Sequence, residues 1–234
     1  MFKGKVVAFA LMLLFATSVV YAGDVDPCAS LAGITCAHMK VNVCPFGDFQ
    51  LIRDGCTGVG TQYMWITAKD AASNPIPGIP WTDYWLNSCN SSYSLYLCAS
   101  PIAADSLTGT NGTTSFQGRI AAGGCNIPPG SLTSQGIFIA IQGKPVLAKP
   151  ACTVALCLSI DILSPDLAGA GGLPDGFVDV TDLLILGSTY NCTYPGPYPP
   201  GKTFNACCDY THDGATVDVS DFAAFGTHYQ HKCQ

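Results

Sequence analysis

Apolar and polar positions alternate in short runs over the first two thirds of the chain. Residues 40–44 alternate, and so do residues 63–69, with Tyr63, Trp65 and Thr67 on one side and Met64, Ile66 and Ala68 on the other. Residues 113–120 read as a third strand, and residues 136–141, more continuously apolar, as a more buried fourth. Weaker candidates lie at 81–86 and 94–98. A period of two marks strands that bury one face. Asn74-Pro75, Pro77-Gly78 and Asn111-Gly112 supply turns between them. Many short strands closed by such turns predict a mainly β fold, a β-sandwich over residues 23–158.

Beyond Ser159 the period changes. Leu183, Leu186 and Tyr190 recur at helical spacing, and so do Phe222, Phe225 and Tyr229. When Asp182 is aligned with Asp221, the apolar residues at +1 and +4, the glycine at +5 (Gly187, Gly226) and the tyrosine at +8 coincide. Such agreement predicts a duplicated loop-helix unit over residues 159–234, each copy covering the other's apolar stripe. The recurrent glycines predict a close helix-helix approach at that level. Residues 193–203, rich in proline, predict a stiff connector between the copies.

Each helical run is preceded by aspartates at short intervals. The second copy offers Asp209, Thr211, Asp213, Asp218 and Asp221, with Gly214 directly after Asp213. The first offers Asp166, Asp175, Asp179 and Asp182. A hard cation such as Ca²⁺ takes six to eight oxygens, and the chain must turn sharply to deliver them. All 16 acidic residues are Asp; from Ser159 onward nine face only Lys202 and Lys232, while seven face eight Lys or Arg elsewhere. This local acidity fits cation loops and argues against a nucleic-acid partner.

A duplicated Asp-rich loop that ends in Asp and leads into one helix resembles a dockerin-type module, a relative of the EF-hand. The resemblance implies Ca²⁺ ligands at Asp209, Thr211, Asp213, a carbonyl near Ala215, Asp218 and Asp221. In the first copy it implies Asp166, Asp175, the carbonyl of Phe177, Asp179 and Asp182. The second loop runs one residue over the family length. The first carries a Gly-rich insertion after Asp166, which adds ordering entropy and predicts weaker binding there. The resemblance also implies a partner-reading pair before each closing Asp, Val180-Thr181 and Val219-Ser220. Upstream, residues 70–80 and 105–114 resemble edge-strand and hairpin segments of bacterial invasin-type immunoglobulin-like domains, which implies an adhesion, spacer or fibre role.

The chain opens with Lys3 and Lys5, an apolar run and Val20-Tyr21-Ala22, the pattern of a secretory signal peptide over residues 1–22. That run is too short for a stable membrane span, and no second long apolar run follows. All 13 cysteines lie beyond it, in a chain expected to meet oxidising conditions. Spacing alone does not set connectivity; local pairs Cys28–Cys36, Cys44–Cys56, Cys89–Cys98 and Cys152–Cys157 are the simplest expectation. The odd number leaves one thiol free or bonded to another molecule. His228 and His231, one turn apart, could share a metal, though a solvated helix end is the commoner arrangement. Asn90, Asn111 and Asn191 head glycosylation sequons, and Asn111 also suits a turn.

The chain lacks a Gly-x-Ser-x-Gly elbow, a phosphate loop, an HExxH motif and any glutamate. The reading is a secreted, non-enzymatic structural or interaction protein, with a protein partner or self-association outside the cell. The alternatives are a self-assembling fibre or surface-layer subunit and an accessory module of a polysaccharide hydrolase.

Overall fold

The computed structural model describes residues 24–56, 63–90, 95–98, 104–128, 131–169, 173–213 and 215–233. The expected signal segment and Gly214 lie outside them. The protein is mainly β. In chain order the upstream strands are β1 (Leu31–Ile34), β2 (Met39–Asn42), β3 (Met64–Thr67), β4 (Tyr84–Ser88), β5 (Tyr96–Leu97), β6 (Thr113–Phe116), β7 (Ala122–Gly123), β8 (Ile137–Ile141), β9 (Lys144–Pro145) and β10 (Ile160–Leu163). Antiparallel β1-β3-β6 and β4-β8-β9 form the two three-stranded sheets.

Strand β3 shows why the alternation works: Met64 and Ile66 are buried, whereas Trp65 and Thr67 are half-buried. Both sheets feed one core, in which Met64, Ile66 and Phe116 join Tyr84, Leu86, Ile139 and Ile141. The Tyr84 and Phe116 rings meet edge to face at 5.5 Å. The run expected over 113–120 pairs only as far as Phe116, because the Gly118 carbonyl then accepts from Ile52 N. Strand β1, which has no strong alternation, exists because Gly33 leaves room for the Trp65 ring; a Cβ there would lie 2.6 Å from it.

Strand β10 departs most from the sequence pattern. Its residues open the acidic segment, yet all four are buried and pair parallel with β2, Ile160 opposite Met39 through Leu163 opposite Asn42. A second core lies beyond it, where Val178, Leu186, Val217 and Phe225 gather with Leu163 and Ile127.

None of the expected local disulfides forms. The bonds are Cys28–Cys152, Cys36–Cys56, Cys89–Cys157, Cys98–Cys233 and Cys125–Cys207. Pairing between sequence-distant strands decides them. Leu147 N donates to Pro27 O, which sets Cys28 beside the Cys152 turn. Cys89 N donates to Gly136 O, and Leu158 bridges Ile137, so Cys157 comes to Cys89. Cys44, Cys192 and Cys208 are unpaired and buried. Five disulfides are compatible with an oxidising, extracellular location. No helix among the described residues is long and apolar enough to cross a membrane.

Candidate metal centre

The duplicated unit forms two helices of equal length, α1 (Val180–Thr189) and α2 (Val219–His228). Each starts the same way. Asp179 and Asp218 are N-caps that accept from Thr181 N and Ser220 N. The closing aspartates, Asp182 and Asp221, reach back with Oδ2 to the cap amides at 2.8 and 2.9 Å, which completes a capping box in each copy. So Asp179, Asp182, Asp218 and Asp221, four of the eight carboxylates the sequence offers as ligands, all serve the helix starts.

The second oxygen of each closing aspartate draws the front of its loop inward. Asp182 Oδ1 accepts from Leu167 N and Ala168 N at 2.7 and 2.9 Å, while Asp221 Oδ1 accepts from Thr211 N and Oγ1 at 3.0 and 3.2 Å. The copies also interlock. The short strands β11 (Cys192–Thr193) and β12 (Thr216–Val217) pair, joining the chain after α1 to the second loop. Reciprocally, the chain after α2 joins the first loop: Gln230 N donates to Val178 O and Val178 N to His231 O. Tyr190 meets Phe222 edge to face at 5.0 Å, and Leu186 and Phe225 are buried, as the stripes predict. The recurrent glycines do not mark close approach. A Cβ on Gly187 or Gly226 would meet nothing within 4 Å.

The two loops differ in what their first carboxylate finds. Asp166, fully buried, accepts from Asp175 N and Gly176 N at 3.2 and 2.9 Å, so both oxygens are engaged. Burial pushes its carboxyl up to about 7 despite those amides, with Asp182 and Asp175 adding to the rise. Asp175 is exposed and bonds Phe177 N. Asp209 is 5% exposed, yet its Oδ1 has no hydrogen-bond partner among the described residues. Burial, then the nearby Asp221, raises its carboxyl to about 6, and Asp213 adds to the rise. A buried carboxylate oxygen with nothing to bond to is costly unless a cation or proton satisfies it. Asp209, Asp213 and Asp221 therefore act on one another at the second loop, with Thr211 held by Asp221.

The carbonyl expected near Ala215 is turned elsewhere, because it accepts from Tyr194 N at 2.9 Å beside the β11–β12 pair. Counted back from the closing aspartates, the position matching Phe177 is Thr216. Val180 and Val219 are 56% and 68% exposed on the first helical turns, beside half-buried Thr181 and exposed Ser220.

The chain matches no family model and no curated protein.

Two constellations lie outside the sequence expectation. His38 bonds Ser159 Oγ through Nδ1 at 2.5 Å and the buried Asp161 through Nε2 at 2.8 Å. Asp161 also accepts from Ser134 N. This row is a clamp on β10, whose buried carboxylate needs partners once that strand is inserted. The other joins Cys44 and Asp48 to His228 and His231. Only the histidine pair carried a signal in the sequence, since Cys44 was expected in a disulfide.

Proposed function

We propose that the chain is a secreted, non-enzymatic structural or interaction protein, in which an immunoglobulin-like β part carries a calcium-stabilised dockerin-like pair of loops for assembly outside the cell. The observation that carries this reading is Asp209: a buried carboxylate with an unpartnered oxygen, in the loop position that an EF-hand relative gives to its first ligand. Asp213 and Asp221 supply further hard oxygen, the ligand type that Ca²⁺ takes. The second loop is the main calcium site. The closing aspartates are engaged alike in both loops, so the first carboxylate decides: in the first loop backbone amides already occupy both oxygens of Asp166, so a cation must displace them and binds more weakly.

Three further observations support the rest of the reading. Two sheets over one core agree with a sandwich, five disulfides with an extracellular setting, and the exposed valines at equivalent helix starts with a surface that a protein partner reads. The test is calorimetric titration of the metal-free chain with Ca²⁺, followed by light scattering with and without Ca²⁺. One dominant site that Asp209→Asn removes is expected. Undetectable Ca²⁺ binding by the wild-type chain would end the calcium reading, and an unaltered assembly state would end the role in assembly.

A further inference from the structure

The geometry points to a second metal centre of different chemistry: Cys44, Asp48, His228 and His231 form a four-ligand site for a zinc-class divalent ion that locks the β part onto the end of α2. One donor atom from each residue lies within 4.8 Å of all the others. His228 Nδ1 and His231 Nδ1 are 3.4 Å apart, and Asp48 Oδ1 is 3.4 Å from the first and 3.2 Å from the second. Cys44 Sγ lies 3.4 Å from His231 Nδ1. A tetrahedron with bonds of roughly 2.0–2.3 Å has edges of roughly 3.3–3.7 Å. The spacing thus suits four ligands around one ion. The Asp48–His228 distance is long for a direct N···O hydrogen bond, about 2.7–3.2 Å, whereas the Asp48–His231 distance sits at its upper end.

The donor set selects the ion. A thiolate and two imidazoles favour zinc over calcium, and four protein donors leave no open position, as in structural zinc sites. Cys44 is fully buried and stays out of every disulfide in a chain where ten other cysteines pair. A metal-ligand role accounts for that. On binding, the thiol loses its proton to solvent and the sulfur lone pair goes to the metal.

Local structure holds each ligand in place. Cys44 bridges Ala121 next to β7, and Gly47, at φ 76°, donates to Cys44 O in the tight turn that brings Asp48 back over the thiol. A Cβ on Gly47 would press on Ala121 at 3.1 Å. His228 is the last residue of α2, and Phe49 stacks on its ring at 4.1 Å. His231 is fixed by Val178 N on its carbonyl and by the Cys98–Cys233 disulfide two residues on, with Phe46 over its ring at 5.2 Å. This site shares no proposed ligand with the aspartate loops and takes a softer ion, so its test is separable from that of the calcium reading.

The probe is Co²⁺ added to the full chain after chelator treatment, read by absorption, with zinc content of the native protein by mass spectrometry. One equivalent with a thiolate-to-cobalt charge-transfer band is expected, displaced by Zn²⁺ and untouched by excess Ca²⁺. Cys44→Ser should lose the band. His228→Ala with His231→Ala should weaken binding more than ~100-fold, beyond the upper figure for losing an outer-shell partner. Asp48 is 40% exposed, so Asp48→Asn should fold normally and still lose affinity. Asp209→Asn should keep the band, which separates this site from the calcium loop. A wild-type chain that shows no thiolate band, or a Cys44→Ser or Asp48→Asn chain that binds cobalt as the wild type does, overturns the proposal.

Discussion

Asp209→Asn is expected to change sign with calcium. The substitution keeps shape and removes charge. In the folded chain burial raises the Asp209 carboxyl from the ordinary 3.8 to about 6, so at neutral pH its ionised form is held against a penalty. Each unit of such a shift corresponds to about 1.4 kcal/mol. Asp213 and the outer side of the loop are exposed, so solvent screening reduces the cost to about 1–2 kcal/mol. Without a cation, Asn removes this cost, and the melting temperature should rise by a few degrees, since a chain of this size gains about 2–4 °C per kcal/mol. With calcium at about 100 times its dissociation constant, the wild type gains about 2.7 kcal/mol and the variant gains little. The variant should then melt below the wild type. The assay is thermal unfolding of metal-stripped protein, titrated with Ca²⁺ alone. If Asp209→Asn lowers the melting temperature equally in both conditions, Asp209 is a plain structural residue and the cation argument fails.

Gly187→Ala and Gly226→Ala should each stabilise the protein by up to about 1 kcal/mol in denaturant melts, since both sit in helices with open space at the Cβ position. Asp166 gives a pH signature. Its folded value, about 7, lies above the ordinary 3.8, so its contribution is fully present below about 3.8 and is lost as pH rises toward 7. His212, which burial and Lys40 hold down to about 4, acts oppositely, losing stability as pH falls from 6.5 toward 4. The metal-free comparison is therefore wild type against Asp166→Asn, whose relative stability should climb between about pH 4 and pH 7 and stay flat above. His38→Ala leaves the Asp161 carboxylate buried with one partner fewer and should cost about 1–3 kcal/mol in chemical denaturation.

Periodic features were legible in the sequence, and features that depend on long-range contact were not. The alternation at Met64 and Ile66 predicts β3 because one sheet face is buried. The aligned stripes predict α1 and α2 because each copy repeats the same cap, loop and face. Strand β10 has no alternation to read, since Ile160, Asp161, Ile162 and Leu163 are all enclosed and Asp161 is tolerated only because His38 and Ser134 meet it. The disulfides were misread for a related reason: near neighbours in the chain are seldom near neighbours across a sheet. The aspartates mix two roles in one pattern. Asp179 and Asp218 sit at ligand spacing and also cap the helices, and hydrogen bonding rather than burial separates Asp209, whose Oδ1 has no partner among the described residues, from Asp166, both of whose oxygens are engaged.

The β2–β10 pair is the base on which both loops stand. Strand β10 runs through Ser164 into Asp166, so the first loop begins where the sheet ends. Asp166 is held there against Gly123 of β7, where a Cβ would collide with its carboxylate, and Gly124 N donates to its carbonyl. Asp182 at the start of α1 fastens Leu167 and Ala168, directly after that strand end. The second loop reaches the same base from the other side. Asn42 at the end of β2 donates Nδ2 to Tyr210 O at 2.6 Å, in the residue directly after Asp209, and Lys40 of β2 favours the ionised form of Asp209 electrostatically. A cation drawing on Asp209 thus pulls on a peptide anchored to β2, and through the parallel ladder on the strand that delivers Asp166. Removing it should loosen Met39–Asn42 and Ile160–Leu163 along with the helices, whereas β3, β4, β6 and β8 share the core with those strands but make no hydrogen bond to either loop among the described residues, and should change less.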